Sequence, residues 1–403
     1  MDLTRRKFIG NLSAAAAVTG IKPGTVAALQ QDPLGVRKDF PVVERGIYLD
    51  SAYITPSPRQ AVEAAQEFAE RKARDPVSLG SMLQETNAMR RKFANLVRAS
   101  EEEIGVLFAT SDGENIVTRA LDLDAGDNVV VDDLHYDTTY ILYQHLRETR
   151  GIEVRTVRNR GGAAPPEAFA EQIDGRTKLV SVSWISHQNG YRHDLTALAG
   201  LAHDHGAYLY ADAIQGVGMI DLDVRDTDID FFTAGTYKWL LGGFGVAPVY
   251  VKEELMDTVT VDRFGSLQVA EDLGEHRYRL HADAKKYGYA TMSFGAIFQL
   301  STALDYLLRV RVQNIERHTV ALANRLNEGL RVQGHDVLTP RGNQSAIVTF
   351  EHGHDLDIVR QSLDEASITL SVRDGGAQLR AGIALFNTDE EIDRLLEVTA
   401  RWT

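Results

Sequence analysis

The stretch Tyr208-Leu209-Tyr210-Ala211-Asp212-Ala213-Ile214-Gln215, followed by Gly235-Thr236-Tyr237-Lys238-Trp239 and the turn Gly242-Gly243-Phe244-Gly245, decides the architecture of this 403-residue chain. One short apolar run ends in an acid, and the next ends just before a lysine. Both read as buried strands with polar groups at their carboxyl ends. Similar runs lie at 104–109, 128–131, 178–184, 207–211, 230–234 and 246–251, while 138–147 and 195–205 carry apolar residues at helical spacing. Near-continuous apolar strands alternating with amphipathic helices predict an α/β fold, a mostly parallel sheet flanked by helices. In such a sheet ligands bind beyond the carboxyl ends of the strands, so the residues that follow each run are where chemistry is expected.

The pattern changes after Ser293. Two helices are expected at 297–310 and 315–330, short strands at 346–350, 368–372 and 378–382, and a last helix from Asp389. This reads as a smaller α+β C-terminal domain. The expected division is a large domain over 56–295 and a small one made of 29–55 with 296–403.

Composition excludes several classes of function. Apolar residues at 44% and charged residues at 25% exclude bulk disorder. A net charge of −14 argues against nucleic acid, which needs a basic face. No run approaches the roughly 18 apolar residues of a membrane span. The chain has no cysteine, which removes disulfides, thiolate metal sites and thiol nucleophiles. His203 with His205 and His352 with His354 lack a third ligand nearby, so no metal is expected. The acidic run 122–127 reads as a turn before a strand, and Arg71, Arg74, Arg90 and Arg91 as solvated helix faces.

The N-terminus reads Thr4-Arg5-Arg6-Lys7-Phe8-Ile9-Gly10, then an alanine-rich stretch and the small residues Val26-Ala27-Ala28. It resembles a twin-arginine export signal ending near residue 28. That resemblance implies passage through the twin-arginine translocation machinery, a periplasmic location, and any cofactor loaded in the cytoplasm before export.

An acid directly after a buried strand is costly to ionise without a cationic partner. Alone, Asp212 would read as a helix N-cap. With Lys238 at the next strand end it matches the needs of pyridoxal phosphate chemistry: an amine to form a Schiff base and an acid to keep the pyridine nitrogen protonated. Here the sequence resembles the class V aminotransferase family of fold type I pyridoxal phosphate enzymes, from Tyr48 to about Trp402. The resemblance implies pyridoxal 5'-phosphate as cofactor, with Lys238 and Asp212 catalytic.

The same resemblance assigns the surrounding parts. Ser111, Asp112 and Gly113, at a helix start, look like the phosphate loop, with Asp112 turned away from the dianion and Thr236 and Tyr237 adding hydroxyls. Tyr136 stacks on the ring, a position where cysteine desulfurases of the family have histidine. Gln215 donates to the phenolic oxygen, with His187 as a second donor. Arg380 takes the substrate carboxylate, near Ala52 and Tyr53. Thr291 resembles the segment that reaches the partner subunit's phosphate, although Gly288 and Ala290 depart from the usual Glu and Gly. A shared site of this kind implies a homodimer.

The expected function is therefore an enzyme acting at the α-carbon of an amino acid or other primary amine, an aminotransferase first. An isopenicillin-N-epimerase-like epimerase, a carbon–sulfur lyase or an exported peptide- or metabolite-tailoring enzyme stands second. A non-catalytic binding protein on the same scaffold is the alternative of another class. Desulfuration through a persulfide on the chain is excluded, since no cysteine exists to receive the sulfur.

Overall fold

The computed structural model describes residues 32–402, so the twin-arginine-like segment and its expected cleavage point lie outside the described residues. A two-residue strand, β1 (Ile47–Tyr48), precedes two long helices, Arg59–Arg74 and Leu79–Val97. Seven strands then build the main sheet: β2 (Ile104–Leu107), β3 (Asn128–Asp132), β4 (Glu153–Val157), β5 (Thr177–Ser183), β6 (Tyr208–Asp212), β7 (Phe231–Thr233) and β8 (Ala247–Val251). Their spatial order is β2-β8-β7-β6-β5-β3-β4. Only β8 runs against its neighbours. The carboxyl ends of the other six therefore gather on one edge, as the alternation of runs and helices predicts.

Both faces of this sheet are covered, and the register shows why the strands lack an apolar–polar alternation. Val130, Val180, Leu209 and Phe232 enter one hydrophobic core, while Val129, Val131, Leu179, Tyr210 and Phe231 enter a second. Successive side chains point to opposite faces, so two apolar layers demand unbroken apolar strands. The edge strand β4 has only Val157 buried. It carries no apolar run, and its charged, alternating sequence gave no strand signal.

A hairpin, β9 (Val269–Asp272) and β10 (Tyr278–Leu280), stands apart from the main sheet. The helices Phe294–Val310 and Val312–Val332 follow, and the first packs on the two long N-terminal helices. A second sheet is antiparallel in the order β11-β12-β15-β14: β11 (Asp336–Val337), β12 (Ile347–Glu351), β14 (Ser371–Arg373) and β15 (Gln378–Gly382). The remaining strand, β13 (Ile368–Thr369), lies between β12 and β14 in sequence and pairs in parallel with β1. The single strand expected at 368–372 is thus two short ones that serve different sheets. Asp50 also bridges to Gly382, where an added Cβ would come within 2.3 Å of the Ala52 nitrogen. Glycine is required at that crossing, and it draws the start of the chain onto β15.

Arg90 departs from its expected solvated setting. It is 2% exposed, and its guanidinium donates to the carbonyls of Ile104 and Glu101 at 2.6 Å each. The paired histidines also have protein partners: His203 Nε2 meets Asp230 Oδ2 at 2.8 Å, His352 meets the Gly376 carbonyl at 2.6 Å, and His354 contacts the Trp402 carbonyl.

Candidate active site

At the carboxyl edge of the main sheet lies a cavity of about 300 Å³, at the small end of the range for bound cofactors. Its wall includes Ser111 after β2, Tyr136 and Thr138 after β3, Ser183 and His187 at and after β5, Asp212 and Gln215 at and after β6, and Lys238 after β7. Five strand ends thus contribute to one hollow.

Lys238 and Asp212 are each 8% exposed. Burial pulls the Lys238 ammonium down to about 8, opposed by the negative charge of Asp212 and aided by Arg380 and Arg373. Burial pushes the Asp212 carboxyl upward, while His135, the Ile214 N–H at 3.0 Å and Lys238 pull it back. The lysine sits on a tight turn in which Leu241, at φ +59°, donates its N–H to the Lys238 carbonyl at 2.8 Å. A non-glycine residue in the left-handed region is held there only by its surroundings. Here the strain fixes the lysine's backbone.

One end of the cavity is made by two helix starts, at Thr110 and Asp137. Their first N–H groups have no intrahelical acceptor, and both dipoles present positive ends, which suits a phosphate. Ser111 Oγ and Thr138 Oγ1, 3.4 Å apart, join the two starts. Thr110 Oγ1 accepts from the Gly235 N–H at 3.0 Å and ties this end to the lysine loop. Thr138 is a wall residue that the sequence marks only by its place after an apolar strand.

Gln215 is fixed at both ends. Trp239 Nε1 donates to its Oε1 at 2.8 Å, and its Nε2 donates to the Ala52 carbonyl at 2.9 Å, which leaves one amide N–H. Buried His187 has no partner for Nδ1, and its ring stands edge-on to Tyr136 with centroids 5.1 Å apart. Burial and the cations Arg373, Arg380 and Lys238 drive His187 down to about 3, so it is neutral. His135, next to Tyr136 in sequence, lies fully buried behind the wall, with Ser181 Oγ at 3.1 Å and Ser183 Oγ at 3.3 Å.

Several expected residues do not line this cavity. Asp112 turns back to accept the Ala109 N–H at 3.1 Å and lies 3.7 Å from Arg263, so its carboxylate faces away, as the chemistry of a dianion requires. Gly113 is a packing glycine: an added Cβ would lie 1.8 Å from Thr233 Oγ1 and 2.9 Å from Thr233 Cβ. Gly113→Ala is expected to cost about 1–3 kcal/mol by overpacking, read as a lowered denaturation midpoint. The fully buried Thr236 donates to the Gly243 carbonyl at 2.6 Å and closes the glycine turn instead of facing the cavity. Tyr237 does line the cavity, stacked on Phe244 with centroids 4.6 Å apart. Thr291 lies on a neighbouring hollow of about 190 Å³ that shares Phe108 and Gly245 with the cavity. Ala52 is buried, and Tyr53, at 60% exposure, stands outside the wall.

Arg380 is 2% exposed and also outside the wall. Its Nη1 donates to the His187 carbonyl at 2.8 Å and Nη2 to Ser371 Oγ at 3.1 Å, while Nε is buried without a partner. Ser371 in turn donates to Asp50. Burial and nearby Arg373 hold Arg380 down at about 10, against the pull of Asp50.

With this geometry in place, comparisons with known proteins fix the class. The sequence profile of the aminotransferase class-V family matches residues 47–395. The chain is 29% identical over 385 residues to a probable cysteine desulfurase of Methanothermobacter thermautotrophicus, covering 90% of this chain and 96% of that protein. It is 28% identical over 392 residues to a cysteine desulfurase of Escherichia coli, with the same coverage of 90% and 96%. The apo structure of a cysteine desulfurase from Thermococcus onnurineus NA1 superposes with a TM-score of 0.82 at 26% identity, covering 92% of this chain and 98% of that one. The cystine C-S lyase C-DES shares the fold, with a TM-score of 0.83 at 20% identity over 90% of this chain and 99% of that one. This chain belongs to the aminotransferase class-V family, and its cofactor is pyridoxal 5'-phosphate. The residues present fit that group: an acid and a lysine share one cavity, two helix starts form an anion seat, and a buried histidine nitrogen lacks a partner.

Proposed function

We propose that the protein is a carbon–sulfur lyase that acts on an S-substituted cysteine. In balanced form, R–S–CH2–CH(NH3+)–COO− and water give R–SH, pyruvate and ammonium. The sequence alone ranked amino transfer first. The named relatives are cysteine desulfurases, which favours cleavage at sulfur. The observation that carries the reading is the pairing of Lys238 with Asp212 in one cavity of a chain that has no cysteine. Sulfur therefore leaves on its own substituent and not on the protein.

Bound pyridoxal 5'-phosphate supplies an aldehyde that condenses with amines and a ring that draws electrons from the α-carbon. Lys238 Nζ, with its affinity for protons lowered by burial, takes the α-proton and can return it at Cβ or to the departing sulfur. Among the described residues Asp212 is the only carboxylate on the cavity wall, and it would hold the proton of the ring nitrogen. Ser111, Thr138 and the two helix starts would hold the phosphate, and Tyr136 would stack on the ring. Gln215 and His187 serve the phenolic oxygen, and Arg380 the α-carboxylate. Exposed Phe108 and Phe244 on the cavity rim support burial against a second copy, a homodimer with shared sites. Export by the twin-arginine route would place the enzyme where free 2-oxo acids are scarce, a further argument against amino transfer.

The test offers S-substituted cysteines to the holoenzyme and measures pyruvate and thiol, with and without an added 2-oxo acid. Pyruvate formed in step with thiol, and independent of the oxo acid, is expected. A new amino acid that appears only when the oxo acid is present would establish amino transfer instead. A pH dependence follows from Lys238 as well. Only its free amine condenses with the cofactor, and that fraction grows as pH rises through about 8. Uptake of cofactor by the apo chain should therefore speed up about tenfold between pH 7 and pH 9 and level off above, followed by absorbance.

A further inference from the structure

A second hollow of about 970 Å³, some three times the size of the cofactor cavity, opens beside it, and His187 lines both. Its wall is polar: Asn159, Gln188, Asn189, Gln378 and Arg373 are among its residues. A free amino acid is served by the smaller cavity. The register of the second sheet explains how Arg373 reaches this junction. Ser371 pairs with Arg380 and Arg373 with Gln378 across β14 and β15, so all four project from the same face. Arg380 contacts His187 from that face, and Arg373, two residues further along its strand, faces the larger cleft.

The cleft holds three arginines, and two have partners. Arg331 donates to the Val337 and Thr339 carbonyls at 2.9 and 2.7 Å, and Arg341 pairs with Glu328 at 2.7 Å. Arg373 is half-buried and makes neither a side-chain hydrogen bond nor an ion pair among the described residues. Its charge is nonetheless felt at His187, Lys238 and Arg380, which places it near the reacting centre. The cleft's aspartates, Asp137, Asp336 and Asp374, are exposed and carry no ion pair among the described residues. The wall is thus of mixed charge, and among the described residues Arg373 is its one cation without a partner.

We infer that Arg373 is a specificity residue: it binds an anionic group on the sulfur substituent, so the preferred substrate is a cysteine conjugated through sulfur to an acid-bearing amino acid or short peptide lying in the cleft. This rests on the carbon–sulfur lyase reading and names the substrate class for that site. A guanidinium facing a carboxylate in a partly desolvated cleft discriminates against a neutral isostere by about 10- to 100-fold.

The probes are three thioethers that differ only at the far end: S-(2-carboxyethyl)-, S-(2-hydroxyethyl)- and S-(2-aminoethyl)-L-cysteine. Their dissociation constants for the holoenzyme are measured by calorimetry, alongside pyruvate release. The carboxyethyl compound is expected to bind about 10- to 100-fold more tightly than the hydroxyethyl one, and the aminoethyl one most weakly. R373Q should collapse the preference to about threefold or less, and R373K should keep part of it. Preference with no pyruvate from any probe would overturn the lyase reading and leave the role of Arg373 standing. Pyruvate from all three without preference would do the reverse. Equal affinities in the unmodified enzyme, or a preference that survives in R373Q, would overturn the inference.

Discussion

Replacing Lys238 with alanine is expected to abolish turnover, with a loss of about 10⁴-fold or more, while the chain still folds and takes up cofactor without a covalent link. The side chain stands on the cavity wall, nearly buried, at the end of a strand that packs apolar residues on both sheet faces. Alanine fills no less of the core than the lysine's first carbon does, so the sheet should be indifferent to the change. What is lost is the amine: both the group that fixes the cofactor and the base whose proton affinity burial has lowered. Borohydride reduction followed by peptide mass spectrometry should find the pyridoxyl group on the Lys238 peptide in the unmodified protein and on no peptide in K238A. A label on another lysine, or turnover within tenfold of normal in the variant, would remove Lys238 from the centre of the chemistry.

Asp212→Ala should cost about two to three powers of ten in turnover. With cofactor bound, Asp212 would face the protonated ring nitrogen; removing one partner of such a buried ion pair costs about 3–5 kcal/mol, and each 1.4 kcal/mol borne by the transition state is a factor of ten. Burial pushes this carboxyl upward, and His135, the Ile214 N–H and Lys238 oppose that push. Asn at this position would keep the shape and the Ile214 contact but not the charge. Asp212→Asn is therefore expected to be nearly as inactive as the alanine variant, yet more stable. Steady-state rates, with cofactor content from absorbance, separate the two effects. Near-normal turnover in Asp212→Asn would show that charge at this point is not needed.

The buried strands were legible because both faces of the main sheet are covered, which leaves a continuous apolar signature in Val129-Val130-Val131 and Leu209-Tyr210-Ala211. The edge strand β4 and the two-residue β1 were not, since an edge or so short a pairing carries no such run, and nothing in 368–372 marks the break between β13 and β14. In the site, Lys238, Asp212, Gln215, His187, Tyr136, Tyr237 and Ser111 come together on one wall because each stands at the carboxyl end of a strand or within a few residues of it. Gly113 and Thr236 were misread for a common reason: whether a small residue faces a ligand or the neighbouring backbone depends on tertiary packing. Arg373 was missed because a charged residue on a short exposed strand looks ordinary until the cross-strand register aligns it with Arg380. Proximity to that arginine, seven positions on, was the one available hint.

The union of β1 with β13, the bridge from Asp50 to Gly382 and the bond from Ser371 to Asp50, 321 positions apart, tie the two ends of the chain together. Closing so long a loop is slow, and it cannot begin until β15 itself has been made. Assembly of the seam therefore waits on β15: a nascent chain halted before residue 378 would have the acid and the lysine, but neither the guanidinium of Arg380 nor the strand that seats it.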